Sequence, residues 1–305
     1  MILRRRQSLH FYPYFACMIS ILIPVYNFAV MTLVEDLQSQ VKKLGIDHEI
    51  RCYDDGSLPE LKSKHHRLST YDHVVYKELP QNLGRAAIRN KLASEACYEN
   101  LIFMDCDSAL VGSDFLKLYM EQLGDDVVCG GRSYADSLEA PSTVLHWKYG
   151  RQRECRSLAE RQAEPQRYFH SNNFMIRKST ILTTPFDESI AGYGYEDLLL
   201  SKQLQEKGIE VVHIDNPVQH LGLEVNQVFL DKTRTAVLNL KKLNKAGLNL
   251  KSRLEVVGKR LQALKMAGVY KRFYEWRKSA IERNLMSDDP KLIYLDYYKL
   301  YVYMS

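Results

Sequence analysis

Four short apolar runs, each closed by a polar cluster and set apart by helix-length amphipathic stretches, constrain this chain more than any other feature. The first run, Ile19-Ser20-Ile21-Leu22-Ile23, is short and rich in β-branched residues, so it reads as a buried strand. Residues 30–44 then show helical spacing, and Gly45 ends them. Residues 49–53, 74–77 and 101–104 repeat the strand pattern, with helices predicted over 85–96 and 114–123. Strand, helix and strand in repeated succession predict a mostly parallel sheet with helices on both faces.

In such a sheet, ligands bind beyond the carboxyl ends of the strands. The polar clusters lie there. Pro24-Val25-Tyr26-Asn27 follows the first run, Asp54-Asp55-Gly56-Ser57 the second, Asn82-Leu83-Gly84 the third and Asp105-Cys106-Asp107 the fourth. Turn chemistry accounts for each cluster taken singly, but four loops on one edge, with four carboxylates among them, form a candidate site. Two acids spaced as in Asp105-Cys106-Asp107 suit Mg²⁺ or Mn²⁺ shared with the oxygens of a diphosphate. Such an ion neutralises the charge that builds on a departing nucleoside diphosphate.

Composition narrows the classes. With 46% hydrophobic and 26% charged residues over 305 positions, the chain can bury a large core, which excludes disorder as its main state. Its six cysteines show no paired spacing, so neither a disulfide framework nor a zinc site is predicted, and a reducing, cytoplasmic setting is the simplest. No dinucleotide fingerprint follows the first strand, and no nucleic-acid reader motif is present. Arg4, Arg5 and Arg6 precede an apolar stretch between Pro13 and Pro24, but no small-residue cleavage site follows; residues 1–17 read as a leader or a basic arm.

Further along, His170-Ser171-Asn172-Asn173 leads into an apolar strand, and is either a hydroxyl-binding cluster or a capped strand start. Glu196-Asp197 follows Gly192-Tyr193-Gly194-Tyr195 and opens a helix over 198–205. Acids at a helix start are favoured by its dipole; the same pair can also supply a base for proton removal from an attacking hydroxyl. Beyond Gly222 the character changes: residues 223–305 hold 17 Lys/Arg against 8 Asp/Glu, so this tail is +9 while the rest is −4. Leu250, Leu254, Val257, Leu261 and Leu264 predict one apolar helix face. The aromatic and basic run from Tyr270 to Lys278, and the five tyrosines of 291–304, suit a membrane interface or packing on the catalytic domain or a second subunit.

Taken in order and spacing, Ser20-Ile21-Leu22-Ile23-Pro24-Val25-Tyr26-Asn27, Asp54-Asp55-Gly56-Ser57, the segment from Asn82 to Asn90, Asp105-Cys106-Asp107 and Gly192-Tyr193-Gly194-Tyr195-Glu196-Asp197 resemble a family 2 glycosyltransferase. The resemblance covers about residues 18–222 and implies a GT-A fold, with a Rossmann-like nucleotide half and an acceptor half, followed here by a helical extension at 223–305. It further implies that Pro24, Tyr26 and Asp55 hold the base and ribose, Asp55 at the uracil edge of a UDP donor. Asn82, Gly84 and Arg89 would line the nucleotide side. Asp105 would touch ribose or metal, Asp107 would be the principal ligand of Mn²⁺ or Mg²⁺, and His220 a further one. Asp197 would be the base, with Glu196, Asn172, Asn173 and Tyr193 toward sugar or acceptor. Ile88 departs from the family's usual Ala and is predicted to face a helix interior.

The implied activity is inverting, metal-dependent transfer of a hexose or N-acetylhexosamine from a nucleotide-sugar donor to a saccharide or lipid-linked acceptor, as in surface polysaccharide synthesis. Nucleic acid is not an expected partner. The alternatives are a sugar nucleotidyltransferase and a non-catalytic scaffold or lipid-binding protein. A membrane role for the tail would put the enzyme at the cytoplasmic face; dimerisation through it is the other option.

Overall fold

The computed structural model describes residues 18–190, 194–248, 250 and 252–305, so the leader or arm at 1–17 and the candidate Tyr193 lie outside the described residues. Among the described residues ten strands run in chain order: β1 Ile19–Val25, β2 His48–Asp54, β3 Val74–Glu78, β4 Asn100–Met104, β5 Ser108–Leu110, β6 Val127–Cys129, β7 Arg132–Ser133, β8 Asn173–Arg177, β9 Val211–His213 and β10 Val218–His220. Seven of them form one sheet in the order β3-β2-β1-β4-β8-β6-β9. Only β8 runs against its neighbours, pairing antiparallel with β4 and β6. The expected mostly parallel sheet is therefore present.

Side-chain alternation on these strands builds two cores. Ile19, Ile21, Ile23 and Val25 of β1 pack with Ile102 and Met104 of β4 against the Met31–Leu44 helix. Leu22, Leu101, Phe103 and Phe174 point to the opposite face, against the Arg85–Glu95 helix. Ile88 is buried there, as expected of a residue facing a helix interior. The first helix stops where the sequence predicts, because Gly45 adopts a left-handed conformation (φ 62°) and its N–H caps Val41 O. The helix predicted over 114–123 is shorter, Phe115–Met120.

A second, three-stranded sheet, β5-β10-β7, sits beside the fourth strand's exit and has no counterpart in the sequence reading. Its strands are two or three residues long, too short to show periodicity. It pairs His220 with Ser108 and Val218 with Arg132. That register brings three distant segments to the acids at 105–107.

Four helices follow: Asn226–Lys245, Arg253–Ala263, Ala267–Leu285 and Leu292–Met304. They are not a detached tail. Phe229, Leu230, Tyr274, Ile281, Leu285 and Leu295 close a core with Leu145 of the Val144–Tyr149 helix, while Val237, Leu240 and Met304 pack on Leu199. Tyr274 is fully buried and stacked on Tyr301 at 4.1 Å between ring centroids. The predicted single stripe is split: Leu250 is buried and Leu254 and Leu261 pack on the core, whereas Val257 and Leu264 are 43% and 68% exposed. The helix runs only from Arg253 to Ala263, so Leu250 and Leu264 lie beyond its ends and do not share its face. Among the described residues no helix is long and apolar enough to cross a membrane.

Candidate functional site

The first two strand-end clusters form a clasp. Asp54 is fully buried and accepts the amides of Gly56 and Ser57, a turn-making role. Asp55 reaches across to the third cluster, where its two carboxylate oxygens accept the N–H groups of Leu83 and Gly84 at 2.7 and 3.0 Å. Asn82 Nδ2 returns a bond to Asp55 O at 2.8 Å. Asn27 Oδ1 and Ser57 Oγ tie the first loop to the second through Leu58 N and Asn27 N. Tyr26 projects from this clasp and is 54% exposed, beside Pro24 at the end of β1.

Asp105 and Asp107 leave the end of β4 with different partners. Arg89, itself buried, bonds Asp105 Oδ1 at 2.5 Å, and Arg132 Nη2 stands 3.9 Å from Asp105 Oδ2. Arg89 thus supports Asp105 from below. Asp107 faces His220, whose Nδ1 is 3.5 Å from Oδ1, and the Leu221 amide donates to Asp107 O at 2.8 Å. A Cβ on Gly222 would stand 2.1 Å from Asp107 Oδ2, so only glycine leaves that carboxylate its place. Burial by itself would push the Asp107 carboxyl up, but His220, Arg132 and Arg85 hold it at about 2.

Behind these acids stands a buried network that the sequence reading missed. Arg132 Nη1 donates to Glu154 Oε2 at 2.8 Å, and the Tyr134 hydroxyl donates to the same oxygen. Burial opposes the Glu154 charge, yet Arg132 and Tyr134 keep its carboxyl at about 2. His146 lies against His220 and stacks on Phe229, and its Nδ1 accepts the Glu224 amide at 2.9 Å. Burial, then the neighbouring His220, lowers His146 to about 4, so it is neutral. None of these four residues belongs to a local motif; the one available signal was an arginine two positions past Cys129-Gly130.

The acceptor-side candidates divide. Asn172 is buried with its Oδ1 unpartnered, and its backbone carbonyl accepts the Asp105 amide at 3.0 Å. Asn173 is 1% exposed, and its side chain accepts from Tyr119 Oη at 2.7 Å and donates to Asn216 O and Gly131 O. These bonds brace the start of β8.

Glu196 and Asp197 open the Glu196–Glu206 helix after Tyr195, a non-glycine residue in the left-handed region (φ 73°). Glu196 is buried; its Oε1 is 3.5 Å from Arg85 Nη1 and its Oε2 has no hydrogen bond. Burial first and then the Asp197 charge push its carboxyl up. Asp197 is half-buried, with Oδ2 3.9 Å from His170 Nδ1 and Oδ1 unpartnered. Although burial opposes it, His170, Ser171 and Arg89 hold Asp197 well below the usual carboxylate range. Arg85 and Arg89, one turn apart on a single helix, therefore act on both acid pairs.

Asp107 and His220 fit a divalent cation. Asp107 Oδ1 is buried without a hydrogen bond, and a ring nitrogen faces it. Among the described residues no group of three or more His, Cys, Asp or Glu side chains is placed to hold a metal, so such an ion would take its other ligands from a diphosphate and water.

The sequence model described as glycosyl transferase family 2 matches residues 20–183. No curated protein matches the chain. A mannosyltransferase from Pyrobaculum calidifontis, solved with GDP-Man and Mn²⁺, is 13% identical over 94% of this chain and 84% of its own, with a TM-score of 0.54. Glucosyl-3-phosphoglycerate synthase from Mycobacterium tuberculosis, solved with Mn²⁺, UDP and glucosyl-3-phosphoglycerate, is 16% identical over 81% of this chain and 87% of its own (TM-score 0.52). S. aureus TarS is 16% identical over 74% of this chain, which spans only 40% of that protein (TM-score 0.50). These likenesses show the GT-A fold.

Proposed function

The chain belongs to glycosyl transferase family 2, and from that premise we propose that it transfers a sugar, with inversion, from a nucleoside-diphosphate donor to a hydroxyl of a saccharide or lipid-linked acceptor. The observation that carries this reading is a pair of buried carboxylate oxygens without hydrogen-bond partners, one on Asp107 and one on Asp197. Buried polar atoms are normally satisfied, and those that are not mark a ligand's place.

In this reading residues 18–222 are the catalytic unit and 223–305 its helical cover. UDP is the favoured nucleotide: Asp55, although it clasps Leu83 and Gly84, keeps lone pairs for an N–H donor such as the uracil imide. Tyr26 and Pro24 border the base, and Asn82, Gly84 and Asp105 the ribose and phosphate side. Asp107 and His220 would hold Mn²⁺ or Mg²⁺, which when bound neutralises the leaving diphosphate. Arg132, fixed by Glu154, adds a positive charge on the same side.

On the acceptor side, the attacking hydroxyl oxygen bonds to the anomeric carbon as the bond to the diphosphate breaks, and Asp197 takes the hydroxyl proton. His170 keeps Asp197 ionised and oriented. Glu196 and Asn172 would contact sugar or acceptor. A nucleotidyltransferase gains no support from the end of β1 and the turn beyond it, because Pro24 to Asn27 carry neither glycine nor a basic residue. Calorimetric titration of UDP is the test. Binding should tighten with Mn²⁺, relax with EDTA, and lose its metal response in Asp107→Asn; equal affinity with and without metal would remove Asp107 and His220 from this role.

A further inference from the structure

The Ala267–Leu285 helix has two apolar sides, and only one is buried. Tyr274, Ile281 and Leu285 face the core and are buried. On the other side Val269, Phe273 and Trp276, spaced by four and three residues, are 62%, 42% and 77% exposed. Leu264 and Met266, just before this helix, are exposed as well, as are Val256 and Val257 on the preceding helix. Exposed apolar side chains in such a series mark a surface with a partner.

Charge selects the partner. From Val256 to Lys278 the chain carries seven Lys/Arg and one acid, Glu275, which is itself bonded to the Tyr301 hydroxyl. Arg272 and Arg277 flank the apolar stripe, and the Arg277 guanidinium lies 5.4 Å from the centre of the Trp276 ring. A second copy meeting this face across a two-fold axis would set the same positive field against itself. A surface of phosphate headgroups over acyl chains answers both features, since it takes the cations at its plane and the Trp and Phe rings just below.

We propose that the outward face of the Arg253–Ala263 and Ala267–Leu285 helices docks peripherally on an anionic lipid bilayer. The attachment is peripheral because no described helix is long and apolar enough to span one. It goes beyond the catalytic reading and does not depend on it, because vesicle binding is measured without turnover.

The full chain is floated with vesicles of phosphatidylcholine and phosphatidylglycerol, and with vesicles of phosphatidylcholine alone. Binding should favour the mixed vesicles and weaken with salt. Each cation near an anionic surface strengthens binding about fivefold, so Lys265→Gln/Arg272→Gln/Arg277→Gln should weaken it by about 10²-fold. Val269→Ser/Trp276→Ser should reduce binding at least tenfold and leave the melting temperature unchanged, as expected for side chains in water. Trp276 emission should shift to the blue on mixed vesicles, a change absent from Trp276→Phe. That optical readout holds even if a multiple variant folds poorly. Unchanged emission with no flotation overturns the proposal, as does equal flotation with both lipids. A concentration-dependent dimer that Val269→Ser/Trp276→Ser dissolves, without flotation, would assign the face to a second copy instead.

Discussion

The site contains two pairs of acids, and they are compensated in opposite ways. At the end of β4, Asp105 has Arg89 and Arg132, and Asp107 faces the His220 ring, so that pair is held in place by two arginines and an imidazole. At the start of the Glu196–Glu206 helix the two carboxyls are pushed apart: Asp197 is held ionised beside His170, while burial pushes Glu196 toward its neutral form. The first arrangement suits a fixed charge that meets a metal and a diphosphate. The second suits one proton passing between hydroxyl and enzyme, because adjacent carboxyls with divergent environments define separate acid–base roles.

The largest effect should come from cutting the second pair. Asp197→Asn keeps the shape and removes proton acceptance, a step typically worth about 10²- to 10⁴-fold in rate. We expect kcat to fall by that amount, while UDP affinity, read calorimetrically, stays near that of the unaltered protein. A variant that turns over normally would transfer the base role to Glu196, whose raised pKa makes it the stronger proton acceptor of the two.

What the sequence disclosed about this contrast was uneven, for a physical reason. Asp105-Cys106-Asp107, Asp54-Asp55-Gly56-Ser57 and Asn82-Leu83-Gly84 were legible because each is a continuous cluster at a strand end, where topology alone predicts a ligand edge. Asp55 proved to bond the third cluster directly, a pairing across 28 residues that only the parallel neighbours β2 and β3 make sensible. Arg132, Tyr134, Glu154 and His146 were not legible, since their meaning comes from a three-stranded sheet with strands too short for any pattern. Asn173 is ambiguous in sequence, because a polar residue before an apolar strand looks alike whether it faces a ligand or braces a buried turn. In the tail, helix content was plain, but composition could not show that Tyr274 is core and Trp276, two positions on, is in water.

A middle-sized effect should sharpen the first pair. Glu154 accepts from both Arg132 and Tyr134 and touches neither Asp105 nor Asp107, which makes it a positioning residue. Groups that orient a site's primary contacts typically cost about 10- to 100-fold when removed. Glu154→Gln should raise the donor KM toward the lower end of that range with kcat little changed, and Glu154→Asp should recover part of it. Were kcat to fall with KM constant, Arg132 would be acting on the reacting centre rather than on the bound diphosphate.

The smallest effect concerns stability, and here the two members of the second pair should differ in sign. Glu196 has a folded pKa raised above its ordinary value, so its contribution is favourable at pH below about 4.5 and is lost as pH rises through the raised value. At pH 8 it is a buried charge with one oxygen unpartnered, and its neighbour Arg85 is half-exposed and so gives up little when the pair is broken. Glu196→Gln should therefore melt higher than the unaltered protein at pH 8, on the order of a few degrees, with the difference vanishing near pH 4. Asp197 is the reverse: its lowered pKa contributes stability above its ordinary range, lost as pH falls through the folded value, so Asp197→Asn should melt lower at pH 8. Parallel thermal melts across pH decide the matter. If both variants move the same way at pH 8, the acids share one environment, and the division of labour drawn from their burial fails; opposite shifts would show that the helix start keeps a destabilising carboxyl in place, a cost usually retained only where activity requires it.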